Sequence, residues 1–461
     1  MSAPKLPGSD RTGRLPDSLR RFLLTQMSAG LAMSVLLSGV VAAPIVAAQP
    51  LLRNVIEVGT LTTPPSTSDC LTLLGIHCYS PAQFEKAYDL APLHSHGIDG
   101  RGETIAIVDS FGSPTIVNDL HVFDQTFGLP DPPSLKIIAP AGPIPAFDPT
   151  NSDMVGWAEE TTLDVEWSHV FAPGANILLV ETPVSETEGV TGFPEIVKAE
   201  NYVINHNMAD VISQSFGATE ETFPSKAALL GLRSAFFNAY AHHVTVLGAS
   251  GDEGSTDFQL NLSDLYTVPV NSWPSSDPLV TSVGGTQLLL DDAGNRLAPD
   301  VVWNDGFGAG GGGVSSVFSR PNFQDGVRKV TDGHRGTPDI SLSAAVDGAV
   351  VFYFTFIPGR EGYHLVGGTS EASPEFAGVV AMADQVAHHR LGWINQRLYD
   401  LRGHFSGIVD VTSGNNDLGP FTNSDGITYD VPGYAAGPGY DLASGLGTID
   451  AARFVPALAG R

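Results

Sequence analysis

The sequence predicts an α/β fold built on a parallel sheet with helices on both faces, and three observations carry that prediction. From Glu103 onward, short β-branched runs alternate with longer segments of helical period. Such alternation favours parallel pairing, because each crossover helix must pack back onto the sheet. The 461 residues are 42% hydrophobic and only 16% charged, enough apolar material for a large core, and 51 glycines with 33 prolines supply the turns.

In chain order, 103–109 (ETIAIVD), 176–180 (NILLV), 210–214 (DVISQ) and 244–247 (VTVL) read as buried strands. Segments 157–170, 194–206 and 225–242 between them read as helices. Further on, 279–283 and 349–356 are apolar strands, 370–389 is a helix, and turn-rich loops follow Gly403. Neither an internal repeat nor a long low-complexity tract is present. Residues 1–48 read as an export signal, 49–100 as a lead-in segment and 101–461 as one domain.

The signal reading rests on Lys5, Arg11, Arg14, Arg20 and Arg21, followed by an uncharged stretch from Ser28 to Ala48. Small residues at Val46-Ala47-Ala48 offer a cleavage site. The rival is an uncleaved membrane anchor, against which Pro44 and the weak apolarity of Gly and Ala count. A formal charge of −27 opposes nucleic acid or an anionic membrane as partner. Cys70 and Cys78 are the sole cysteines, and in an exported chain they are expected to form a disulfide. Two cysteines without a partner pair make a poor zinc site.

The sharpest local feature is Gly367-Gly368-Thr369-Ser370, followed by Glu371-Ala372-Ser373-Pro374 and an apolar helix. Glycines permit a tight turn, Pro is tolerated in a first helical turn, and free N–H groups at a helix start favour an oxyanion. Ser370 stands where a nucleophile belongs. The alternative is that Thr369 or Ser370 is an ordinary N-cap.

A serine hydroxyl needs a base. None of the 13 histidines lies in a glycine-flanked helix start that would present it to Ser370. Carboxylates are better placed. At about 100° per residue, Asp164 falls about 40° from Glu160, one turn along the same face, with Trp157, Leu163 and Trp167 within about 60°. Burial among apolar side chains raises a carboxyl pKa, and a second acid nearby raises it further. A salt bridge to an Arg or Lys is the alternative for this pair. Glu159, Glu166 and His169 project elsewhere by the same arithmetic and are expected to be solvated. A further acid, Asp252, follows a strand in Gly248-Ala249-Ser250-Gly251-Asp252-Glu253-Gly254-Ser255, where α/β proteins place their sites; it can equally be a turn residue.

Glu160 and Asp164 in Glu-x-x-x-Asp, Asp252 in Ser-Gly-Asp-x-Gly-Ser and Ser370 in Gly-Thr-Ser-x-x-x-Pro occur in that order. The set resembles the sedolisin family of serine-carboxyl peptidases. The likeness runs from about Tyr79 to Ile449 and includes Ser213-Gln214-Ser215-Phe216-Gly217, Val283-Gly284-Gly285-Thr286, Phe318-Ser319-Arg320-Pro321 and Pro338-Asp339-Ile340-Ser341. Each motif is weak alone, and the ordered set is strong.

The resemblance implies a subtilisin-like fold in which Ser370 attacks the scissile carbonyl, Glu160 moves the proton, Asp164 orients Glu160, and Asp252 helps form the oxyanion hole. That last role needs a protonated acid, since a carboxylate only accepts hydrogen bonds. The resemblance also implies one structural calcium ion, with carboxylates from Asp410 and Asp441 and carbonyls from Val411, Gly437 and Gly439. Read alone, these are ordinary turn residues. The run Gly308 to Gly313 lacks the ending of a phosphate loop and is expected beside the substrate cleft.

Two departures stand out. Only about fifty residues separate the signal from the first strand of the domain, fewer than the long prosegment usual in the family, so maturation is expected to differ. Gly367 replaces the more usual Ser, a change expected to be mild. The leading expectation is a secreted, acid-active, monomeric endopeptidase acting on protein or peptide substrates. The rivals are a His-dependent subtilase using Asp109, whose segment Ile107-Val108-Asp109-Ser110 resembles the aspartate strand of subtilisins, and a non-catalytic exported binding protein.

Overall fold

The computed structural model describes residues 55–403 and 405–461, all within one compact unit. The export signal predicted for 1–48 lies outside the described residues. Among those described, no helix is long and apolar enough to cross a membrane.

The central sheet contains seven parallel strands: β1 (Thr104–Ser110), β2 (Leu135–Ile138), β3 (Asn176–Thr182), β4 (Val211–Gln214), β5 (Thr245–Ala249), β6 (Thr281–Gln287) and β7 (Ile340–Ser343). Their spatial order is β2-β3-β1-β4-β5-β6-β7, and the short strand Val301–Val302 runs antiparallel on β6. Predicted strand positions hold within one or two residues, apart from β6, which runs on to Gln287. Strand order reverses at β1, which lies between β3 and β4. A crevice opens beyond the carboxyl ends of strands at such a switch point.

Helices cover both faces: α1 (Ile116–Phe127), α2 (Ser152–Phe171), α3 (Phe193–Asn205), α4 (Ser234–His242) and α5 (Thr369–Ala387). Side chains of β1 alternate between two cores, as a pleated strand requires. Ile105 and Ile107 join the core under α2 and α5, whereas Ala106 and Val108 join the one under α3 and α4. The predicted helix 225–242 is instead two pieces, Lys226–Leu230 and Ser234–His242, interrupted after the helix-weakening Gly231.

A second sheet delivers α5. Strands Ala349–Phe354 and Gly362–Val366 form an antiparallel hairpin, flanked by Val55–Leu61 on one edge and Cys78–Tyr79 on the other. Cys70 and Cys78 are disulfide-bonded, as expected.

Helix α2 overturns one sequence expectation. Glu159, Glu166 and His169 are buried, the last two completely, along with every residue from Trp157 to Phe171. From Trp157 onward the helix is wrapped by α1, α5, β1 and the hairpin, so that stretch has no solvent face. Phe84 stacks edge-on against Trp167 at 4.8 Å, the Tyr353 N–H donates to Glu166 at 3.1 Å, and the His169 ring lies 2.7 Å from the Pro130 carbonyl oxygen. A helical-wheel argument presumes one dry face; beyond its first turn this helix has none wet.

Buried acids extend beyond α2. Burial pushes Glu159, Glu200 and Asp384 up to about 8. In the unfolded chain such groups ionise near pH 4. Their neutral burial favours the fold fully below about pH 4, and that advantage is lost as pH rises towards the folded values near 8. Thermal unfolding followed from pH 4 to pH 8 is expected to show Tm falling by more than about 10 °C.

Candidate active site

Helix α5 begins at Thr369 with Gly368 as N-cap, so neither Thr369 nor Ser370 is the cap. Gly368 has φ 143, and a Cβ there would lie 2.7 Å from Asp252 Oδ2. Both facts require glycine. At Gly367 a Cβ would meet the Ala344 carbonyl oxygen at 2.8 Å, so the backbone runs closer than the serine usual in the family would allow. Pro374 lies beyond the first turn, as the sixth residue of α5.

Thr369 fixes Asp252. Its N–H and its hydroxyl each donate to Asp252 Oδ1 at 2.8 Å. Asp252 follows β5 in a loop held from behind by the glycine run. The Gly311 N–H donates to the Gly251 carbonyl at 2.7 Å and the Ala309 N–H to the Asp252 carbonyl at 2.9 Å. A Cβ on Gly311 would lie 2.2 Å from the Ser250 carbonyl oxygen. The Gly308 to Gly313 run thus abuts the loop of Asp252.

Glu160 and Asp164 enter from α2, which crosses α5 at close range: a Cβ on Gly378 would approach Phe171 Cβ to 2.5 Å. Both acids are completely buried, as is Ser370. Ser215, just past β4, donates its hydroxyl to Asp164 Oδ1 at 2.9 Å. Burial is the main cause that raises Glu160; the Asp109 charge adds to it, while the Ser370 hydroxyl opposes it. Neither Glu160 oxygen nor Ser370 Oγ has a closed hydrogen bond, the open geometry that catalytic groups often show before substrate arrives. Asp164 is raised by burial, then by Asp109 and Glu160. The salt-bridge alternative fails among the described residues: ion pairs such as Arg335–Asp339 and Arg233–Asp277 form elsewhere, and none reaches Glu160 or Asp164.

Asp109, at the end of β1, is the participant that sequence reasoning assigned only to a rival mechanism. It is fully buried and pushed up to about 7, chiefly by burial. Its signal was its place at the carboxyl end of a buried strand. No described histidine hydrogen-bonds to Ser370, Glu160 or Asp109; the buried His169 and His364 engage the carbonyls of Pro130 and Arg360. A second acid pair also went unseen. Glu371 and Glu375, one turn apart on α5, are fully buried and raised mainly by burial, with Asp252 adding at Glu371 and Glu371 at Glu375. The same 40° arithmetic used for Glu160 and Asp164 would have found them.

Hydrogen bonds link the loops that carry the residues predicted for calcium. Gly439 N–H donates to Asp410 Oδ2 at 2.8 Å, and Gly437 N–H donates to Asp441 Oδ2 at 2.9 Å. The Ser444 hydroxyl links Asp441 Oδ1, at 3.0 Å, to the Val411 carbonyl, at 3.5 Å. Among the described residues no cluster of three or more His, Cys, Asp or Glu side chains gathers around one point. The donor set is two carboxylates and backbone carbonyls, all hard oxygens, which suits calcium.

A sequence profile of the subtilase family matches residues 150–401. Kumamolisin of Bacillus sp. (strain MN-32) is 31% identical over 389 residues, covering 82% of this chain and 63% of that protein. Sedolisin of Pseudomonas sp. (strain 101) is 30% identical over 391 residues, covering 81% and 60%. The chain therefore spans about three-fifths of the length of these relatives. Among solved structures, Pseudomonas sedolisin, a serine-carboxyl proteinase complexed with two molecules of pseudo-iodotyrostatin, superposes with a TM-score of 0.67 at 28% identity, covering 84% of this chain and 99% of that one.

Gln at 371 and 375 mimics the neutral acids. The double variant Glu371→Gln, Glu375→Gln is expected to match the parent Tm at pH 4 and to exceed it by several degrees at pH 7.5, because a raised acid costs stability only once the unfolded chain ionises. Equal Tm differences at both pH values would contradict this.

Proposed function

This chain belongs to the subtilase family and, within that fold, to the sedolisins, and from that premise we propose that it hydrolyses peptide bonds through an acyl-enzyme on Ser370 with Glu160 as general base. Ser370 Oγ attacks the carbonyl carbon while its proton passes to Glu160. Asp164 holds the Glu160 carboxyl in place. Protonated Asp252 donates to the oxyanion, in a site where low dielectric magnifies each donor. Glu160 then gives the proton to the departing amine, and water repeats the sequence in reverse to release the acyl group.

The observation that carries this reading is a buried serine at a helix start facing two buried carboxyls with no cation among the described ion pairs. Such a site needs Asp252 neutral and needs the Glu160 and Asp164 pair to keep a shared proton. It therefore works in acid. A net charge of −27, a disulfide and the basic, then uncharged, N-terminal sequence support a secreted enzyme. Denatured protein or peptide is the substrate class, cut internally by a monomer, with no nucleic-acid or stable membrane partner. One calcium ion would be held by Asp410, Asp441 and the carbonyls of Val411, Gly437 and Gly439. Bound there, it supplies cohesion between two loops rather than reaction chemistry.

Digestion of a denatured protein between pH 3 and pH 8 tests the reading. The rate is expected to fall steeply above about pH 6. Ser370→Ala should remove about 10⁴-fold or more of kcat, and Glu160→Gln about 10²- to 10⁴-fold. A profile flat through pH 8, or activity surviving Glu160→Gln but not Asp109→Asn, would favour the rival subtilase chemistry. Products that are internal fragments rather than short N-terminal peptides would establish the endopeptidase mode. Chelation is expected to lower Tm in proportion to calcium occupancy, and Asp441→Asn should abolish that response.

A further inference from the structure

Two sequence motifs have no part in the proton path: Ser213-Gln214-Ser215 at the end of β4, and Pro374, four residues past Ser370. Alternation along a strand sends neighbouring side chains to opposite faces. Gln214 bonds Glu200 of α3 on one side of the sheet, while Ser213 and Ser215 turn to the other. There Ser213 Oγ lies 2.9 Å from Ser373 Oγ of α5, both buried. Ser215 Oγ is 2.9 Å from Asp164 Oδ1 and 3.4 Å from the carbonyl oxygen of Ser370.

That carbonyl is unusual. In an α-helix it would accept from the N–H of residue 374. Residue 374 is proline and has no N–H to give. A buried carbonyl left without its donor is costly, so a donor from outside the helix is favoured there. The Ser215 hydroxyl is in reach, and its single hydrogen serves either the carbonyl or Asp164.

We propose that Pro374 and Ser215 form a positioning pair: the proline strips the Ser370 carbonyl of its helical donor, and the Ser215 hydroxyl, accepting from protonated Asp164, donates to that carbonyl and turns to donate to Asp164 when the acid ionises. The nucleophile's backbone is thereby tied to the acids that handle its proton. Its kinetic consequences rest on the peptidase reading above; its structural ones do not. The titratable groups around the bridge are Glu160 and Asp164 of α2, Asp109 of β1, Asp252 after β5, and Glu371 of α5, which senses Asp252. Ser215 donates to the ionised form of the pair and so opposes burial at both Glu160 and Asp164.

The test is a double-mutant cycle in the full chain with Ser215→Ala, Pro374→Ala and the combination. Ser215→Ala is expected to lower kcat about five- to tenfold with KM within about twofold, the scale of one lost hydrogen bond. The acid limb of kcat/KM should move to higher pH, because the pair loses a donor that favours ionisation. Amide exchange across residues 373–378 should quicken about tenfold. In the Pro374→Ala background the backbone donor returns, so the exchange effect of Ser215→Ala should vanish while the shift of the acid limb persists. Additive exchange effects, or an acid limb that Ser215→Ala leaves in place, would overturn the proposal while leaving the peptidase reading intact. If the parent cleaves nothing, the peptidase reading fails, and the exchange cycle still decides the bridge. Should Ser215→Ala not fold, Ser215→Cys, a weaker donor of similar size, carries the same comparison.

Discussion

The close crossing of α2 and α5 governs this molecule. Gly378 lets the helices approach until no side chain fits between them at Phe171. One helix carries Glu160 and Asp164, the other Ser370, and the contact excludes water from all three. Stripped of water and given no cation, a carboxyl keeps its proton far above its usual range. The chemistry open to the serine follows from that desolvation. In the proposed mechanism, an acid reluctant to ionise serves as the base, and Asp252 kept neutral serves as a hydrogen-bond donor.

The same chain can hold buried charge when it supplies partners. Arg335 and Asp339 are both fully buried, and the guanidinium makes two hydrogen bonds to the carboxylate. Tyr399 OH and the Ser282 N–H complete the Asp339 shell. The carboxylate is fully engaged, although Arg335 Nε has no partner among the described residues, and the pair lies against the loop of Gly445. At the active site the acids face serines, a threonine and one another. Burial raises the pKa values of the active-site acids, and the contrast shows that no buried cation offsets it there.

Around the acids the backbone leaves little freedom. Glycines at 311 and 368 lie where a single Cβ would collide with the loop of Asp252, and Thr369 grips that carboxyl with two donors. The hairpin of the second sheet leads straight into Gly367 and fixes where α5 starts. The wider acidity fits this setting. Glu159, Glu200, Asp384, Glu371 and Glu375 are further buried acids, all raised mainly by burial, so the fold itself favours low pH.

The sequence by itself determined the alternation of strands and helices, the disulfide, the one-turn spacing of Glu160 and Asp164, and the glycine-framed start of α5. Each is a local pattern set by periodicity, by turn chemistry or by a cysteine count. Tertiary structure decided what lies around them. No local pattern reveals that α2 is dry on every side from Trp157 onward, which is why Glu159, Glu166 and His169 were misplaced. Nor does one reveal that Asp109 joins the acid group across the switch point, that Ser215 reaches over from β4, or that Pro374 frees a carbonyl for it. Burial and pairing depend on segments 39 to 187 residues away, and the pKa of an acid is set by what those segments bring.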